Sequence, residues 1–309
     1  MTKILYSTAR STGLAETDAL KQGGWLYVVE PTEIEVTELA KKYKLEEDLL
    51  RDGLDLYESP RVEREDDDIY IFTRYYHPNN GVINATEPLL IIYRPNCIVT
   101  LLREDSMVLA PFVQGTKSIT TTQKTKALLQ ILEVVNSSYQ RYVTTVTKKI
   151  FSARSQMRRK NIDKDVLLGF VEIEDDLNEF LSALQPQSLM LKKLLNGKYI
   201  KLYDDDKDLI EDLLLGTDEL IDLVKSRLKT IVTIRESFDA LAASELNQIF
   251  KRLTSITIFL MVPTIITGLY GMNTNLPLGD KAWSFWYVLG LGLLLTTILI
   301  VFFKKRRWL

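Results

Sequence analysis

Two uncharged apolar runs near the C-terminal end, Leu253 to Leu269 and Ala282 to Phe303, constrain this chain more than any other feature. Each approaches the ~20 residues that a helix needs to cross a ~30 Å hydrocarbon layer. The sequence therefore predicts two membrane spans joined by a short polar loop. Lys251 and Arg252 precede the first run and Lys304 to Arg307 follow the second, whereas the loop carries only Asp280 and Lys281. Basic residues stay on the cytoplasmic side, so both termini are expected there and the loop outside.

The rest of the chain belongs to a different regime. A mean hydropathy of −0.02 averages a highly charged body with this apolar end. In 309 residues there is room for a sizeable soluble core besides the spans. A formal net charge of −2 gives no bulk attraction to nucleic acid. The single cysteine, Cys97, excludes an intramolecular disulfide framework and reads as an inert buried thiol. The single histidine, His77, rules out an all-imidazole zinc site within one subunit and, preceding Pro78-Asn79-Asn80-Gly81, reads as a surface residue at a turn. Residues 1–13 hold no apolar stretch of signal-peptide length, so no export signal is expected.

Residues 1–116 mix strand and helix signals. Ile4 to Ser7, Trp25 to Val29, Ile69 to Tyr75, Leu89 to Tyr93 and Cys97 to Leu102 are rich in branched and aromatic side chains and read as strands, the last two forming a hairpin. A helix is predicted from Pro31 toward Lys44 with Thr32 as its N-cap, then a short acidic helix near Glu46 to Asp52. The acidic cluster Glu63 to Asp68 reads as a solvated turn before a strand rather than a divalent-ion contact. No glycine-rich phosphate loop follows a strand and no nucleophile elbow is present, so an α/β regulatory domain is expected in place of an enzyme or an organic-cofactor site.

From about Lys117 the pattern turns helical. Leu128, Leu129, Leu132, Val135, Val143, Val146, Ile150 and Met157 recur at helical spacings, with a basic stretch from Lys148 to Lys160. A second helix is predicted from Lys164 to Leu184, ended by Pro186; together these make a helical region over 117–203. From Asp204 there is no proline and one glycine before Leu246. Leu209, Leu213, Leu220, Val224, Leu228, Ile231, Ile234, Phe238, Leu241 and Leu246 then form a long packing face. No stop signal separates this stalk, 204–252, from the first span, 253–270. A helix from Leu209 to Tyr270 is a rod of roughly 90 Å.

Two helices cannot enclose an aqueous path, so transport demands association around an axis. Asn247, Phe250, Leu253, Thr257, Met261, Thr264 and Gly268 follow one another at three or four residues, which places most of them on one stripe. Read alone, without the motif that follows, the threonines and the glycine better suit close helix packing in lipid.

The stretch Tyr270-Gly271-Met272-Asn273 at the end of the first span, a last span over 282–303 and the basic tail 304–309 resemble the CorA family of divalent-cation channels, whose signature is this motif. The resemblance implies a funnel-shaped homopentamer in the cytoplasmic (inner) membrane, with an N-terminal α/β cytoplasmic domain and needing no further protein partner. By resemblance, the stripe lines the pore, with Phe250, Leu253 and Met261 as hydrophobic constrictions and Thr257 and Thr264 offering hydroxyls. Gly271, Met272 and Asn273 match the selectivity filter. A ring of neutral carboxamides can accept hydrogen bonds from tightly hydrated Mg²⁺ without stripping its water. Gly271 is expected to let the backbone turn where the helix ends, while Tyr270 and Met272 serve as packing anchors. Regulatory Mg²⁺ is implied at Asp212, with a partner carboxylate from the next subunit. The external loop, 271–281, lacks the family's acidic residue after its proline, here Pro277, and Asp280 is the nearest substitute for attracting cations.

Neither span carries an ionisable residue other than tyrosine, so passive flow is the simplest mechanism. A ZntB-like, proton-coupled zinc transporter of the same architecture is the alternative. A sensor that the two spans merely tether is a third reading.

Overall fold

The structure, a computed structural model, describes residues 1–8, 13–77, 85–105, 107–158, 164–272 and 283–306. Two compact units divide the chain, 1–233 and 234–309.

The first unit is built on a seven-stranded sheet. Its strands are β1 (Thr2–Tyr6), β2 (Ala15–Glu16), β3 (Gly24–Val29), β4 (Arg61–Glu65), β5 (Asp68–Tyr76), β6 (Thr86–Tyr93) and β7 (Cys97–Leu102). Their order is β2-β1-β3-β7-β6-β5-β4, antiparallel except for the β3–β7 pair. Helices α1 (Glu33–Tyr43) and α2 (Glu47–Asp52) cross over between β3 and β4. Thr32 caps α1 through a reciprocal capping box with Glu35, and Lys44 ends it in the left-handed region at φ 54°. Val36, Leu39 and Leu50 pack on Leu26, Val28, Tyr70, Phe72, Leu90 and Ile92, which alternate along their strands and so share one sheet face.

The opposite face carries Trp25, whose indole N–H donates to Thr100 Oγ1 at 2.8 Å and whose ring meets Phe112 of the short helix α3 (Ala110–Val113) edge-on. Two long helices, α4 (Lys124–Arg158) and α5 (Lys164–Leu195), cover this side. Their anchors are Tyr139 and Phe180, with ring centroids 4.8 Å apart, and the Tyr139 hydroxyl donates to the Arg74 carbonyl. The long helix α6 then runs unbroken over Asp204–Tyr270.

Several sequence expectations change here. The acidic cluster is not all turn. Glu63 to Glu65 belong to β4, Asp66 and Asp67 make the hairpin turn, and Asp68 opens β5, where it ion-pairs with Arg94 at 2.8 Å. α5 does not end at Pro186. Ala183, Leu184, Met190 and Leu191, all buried, continue one packing face through it and offset the missing hydrogen bond. His77 is half-buried rather than exposed, its ring edge-on to Tyr75 at 6.2 Å. Regular helix begins at Lys124, not near Lys117. On α6, burial of the expected apolar face holds at Leu213, Leu220, Val224, Ile231 and Ile234, whereas Leu209, Leu241 and Leu246 are exposed.

The second unit comprises the C-terminal part of α6 and the helix α7 (Ser284–Lys305). Both are long and apolar enough to cross a membrane, and only 6% and 11% of their most apolar windows are buried. A core helix of a soluble protein would be mostly covered, so this exposure agrees with the two predicted membrane spans.

Candidate functional site

The first span shows two distinct faces. Ser255 is buried and Ile258, Phe259, Val262, Pro263, Ile266 and Tyr270 are half-buried. This side meets α7: the Phe259 and Phe303 rings lie 5.4 Å apart, and a Cβ placed on buried Gly292 would stand 4.0 Å from Pro263 Cα. Phe250, Leu253, Thr257, Met261, Thr264 and Gly268 are all exposed. At about 100° per residue the stripe from Leu253 to Gly268 lies about 180° from the α7-facing side. Ile256 and Leu260 flank it on one side and Ile265 and Leu269 on the other, all exposed and apolar. Asn247 is also exposed, one further turn back.

The threonine hydroxyls have a definite polarity. Thr257 Oγ1 donates to the Leu253 carbonyl at 3.0 Å and Thr264 Oγ1 to the Leu260 carbonyl at 2.8 Å. With its proton directed back into the helix, each oxygen turns only lone pairs outward. That suits a cation or the hydrogens of its water shell. Pro263 sits mid-span without breaking α6, and Thr267 Oγ1 donates to the Pro263 carbonyl at 3.0 Å.

At the motif, Tyr270 is the last helical residue. The Gly271 N–H is shared between the Thr267 carbonyl at 2.9 Å and the Gly268 carbonyl at 3.3 Å, and the Met272 N–H reaches the Leu269 carbonyl at 3.4 Å. The last turn therefore tightens. Gly271 is the turn residue at which the helix ends, and its φ is not left-handed. Asn273 and Asp280 lie outside the described residues.

Asp212 is exposed on α6 and lines a groove of about 580 Å³ between α4 and α6 with Lys126, Glu133, Asn136, Leu213 and Glu219. No cluster of three or more Asp, Glu, His or Cys side chains suited to a metal ion occurs among the described residues. A carboxylate is the hard oxygen donor Mg²⁺ prefers, but a single one supplies a small part of its octahedral shell. Asp212 thus fits a regulatory ion only where water or another subunit completes the set.

Elsewhere the basic stretch leaves Lys148 and Lys149 on a cleft beside Tyr142 and Asp176, which hydrogen-bond to each other. Burial pushes the Asp176 carboxyl above its ordinary value against the opposing effect of that bond. Sequence reasoning passed over a polar chain, buried except at half-buried Asn136, that joins β5, α5, α4 and α6 through Thr73, Gln187, Asn136 and Thr217. Its one legible sign is Thr217, a polar residue inside an apolar helical period.

Comparison with known proteins agrees with this architecture. The chain is similar to the "Cobalt/magnesium transport protein CorA" of Methanocaldococcus jannaschii, 26% identical over 296 residues that cover 92% of this chain and 91% of the relative. It is also similar to the protein of the same description from Thermotoga maritima, 20% identical over 312 residues covering 96% and 82%. The complete structure of the CorA magnesium transporter from Methanocaldococcus jannaschii shares the fold, with a TM-score of 0.87 at 22% identity over 100% of this chain and 99% of that one. The sequence model described as CorA-like Mg2+ transporter protein matches residues 21–305, nearly the whole chain, and this protein therefore belongs to that family.

Proposed function

We propose that this chain mediates Mg²⁺ entry into the cell as a homopentameric channel, driven by the membrane potential and closed by cytoplasmic Mg²⁺. The observation that carries the reading is the two-faced first span. One side is taken up by α7, and the opposite side holds the stripe from Leu253 to Gly268, uncovered in the single chain. Around a symmetry axis the stripes of several copies enclose a path that one copy cannot.

Phe250, Leu253 and Met261 then form apolar rings that block ions when dewetted, and Thr257 and Thr264 present acceptor oxygens between and above them. Asn273 contributes a ring of carboxamides to the filter at the outer end, where hydrated Mg²⁺ is recognised by its water. Moving a divalent cation to a negative interior releases roughly 4.6 kcal/mol per 100 mV, so no second energy source is needed. Asp212 acts as one ligand of an inhibitory ion between subunits. When the ion leaves, repulsion between carboxylates loosens the assembly and the rings widen.

The test is cation uptake into proteoliposomes with an imposed negative-inside potential, comparing Mg²⁺, Zn²⁺ and Co²⁺. Potential-driven Mg²⁺ entry is expected, lost in Asn273→Ala and needing no proton gradient. Mg²⁺ on the cytoplasmic face should slow it, less so in Asp212→Ala. Zinc flux that requires a proton gradient would replace this reading with a proton-coupled transporter, and no flux of any ion would replace it with a tethered sensor.

A further inference from the structure

The first half of α6 is held to its neighbours by a mostly apolar face: Ile210, Leu213, Leu220, Ile221, Val224, Ile231 and Ile234 are buried. Apolar contact is not directional, so such a surface sets rotation and register less sharply than a hydrogen bond does. Between Leu213 and Leu220 the face is interrupted by Thr217, which is 0% exposed.

Thr217 is one end of a chain of hydrogen bonds across four elements. Its Oγ1 donates to the Leu213 carbonyl at 2.7 Å and accepts from Asn136 Nδ2 of α4 at 2.6 Å. Asn136 Oδ1 accepts from Gln187 Nε2 of α5 at 2.7 Å, and Gln187 Oε1 accepts from Thr73 Oγ1 of β5 at 3.1 Å. Each amide offers its N–H₂ on one side and its oxygen on the other, so the chain has one donor-to-acceptor sense throughout. Gln187 is also 0% exposed and Thr73 2%. Beside it, Ser188 Oγ donates to Asp218 Oδ1 at 2.6 Å, a second grip on the next residue of α6.

We infer that this chain is a lock that fixes both the rotation and the axial register of α6 against α4, α5 and the sheet. Rotating α6 by one residue, or sliding it by one turn, takes Thr217 Oγ1 away from the half-buried Asn136 N–H₂ and breaks the chain at its α6 end, a directional penalty that the apolar contacts do not carry. A single polar position sets register among apolar helices in the same way in coiled coils. The lock itself rests on unit 1 alone. Its consequence, a set orientation for the helix that continues into the first span, rests on the channel reading.

The experiment measures distances between spin labels at Arg141→Cys on α4 and Asp222→Cys on α6, both exposed, in full-length protein in detergent, with labelled subunits diluted among unlabelled ones. Buried Cys97 leaves the labelling specific. One narrow distance is expected for the parent protein and for Thr217→Ser, which keeps the hydroxyl. Thr217→Val has the same shape without it, and is expected to keep its helical circular dichroism while the distribution broadens or gains a second peak displaced by up to about 5 Å, one helical turn. Unchanged distributions in Thr217→Val and in the combined Asn136→Leu, Gln187→Leu, Thr217→Val variant would overturn the inference. So would broadening shared by Thr217→Ser. Because no transport is read, a failure of the channel reading leaves this result untouched.

Discussion

Glu87 shows how one side chain couples this fold to pH. It lies on β6, 3% exposed, and its Oε2 has no hydrogen-bond partner among the described residues. Burial raises its carboxyl above the ordinary value, with Glu104 adding to the shift and Arg103 opposing it. A folded pKa above the unfolded one means that the native chain holds the proton longer. Below the unfolded pKa there is no penalty; as pH rises from there through the raised folded value, stability is lost. Glu87→Gln cannot ionise. Its stability relative to the parent should therefore climb from about pH 4 toward neutrality, measured by denaturant unfolding across a pH series. Parallel profiles would show that Glu87 is charged at no such penalty.

Among the elements, those that the sequence announces are the ones with a local cause. Thr32 and Glu35 carry the α1 start within four residues, and β5, β6 and β7 are buried nearly end to end, so their branched and aromatic runs suffice. β4 is hidden because it is an edge strand: only Val62 is buried, and its charged neighbours look like a loop. α5 is misread at Pro186 because what carries the helix past it is tertiary packing, including Gln187 and Ser188, whose partners sit on other elements. The stripe on the first span is legible from period alone, whereas Asn136 and Gln187 acquire meaning only when α4 and α5 are brought together. Pro186→Ala restores an N–H for the Ser182 carbonyl and should stabilise the protein by up to about 3 kcal/mol, raising its thermal midpoint in detergent. A lowered midpoint would mean that α5 is shaped around the proline ring.

For the whole molecule, the decisive property is that α6 passes from one compact unit into the other without interruption. Residues 239–250 of it are exposed on every side in the single chain, so an added residue there meets no packing within the subunit. It does, however, change phase. One alanine inserted between Ala242 and Ala243 turns every later side chain by about 100°, which would carry the stripe off the axis of the proposed channel. Seven inserted residues turn it by only about 20°. The first insertion should stop potential-driven cation uptake while the protein still assembles in the membrane, and the second should preserve it despite the greater added length. Equal uptake by both would show that the helix does not transmit its angle. If the expectation holds, the stalk is a shaft keyed at one end, and such a transporter can grow taller only in steps that bring its threads back into alignment.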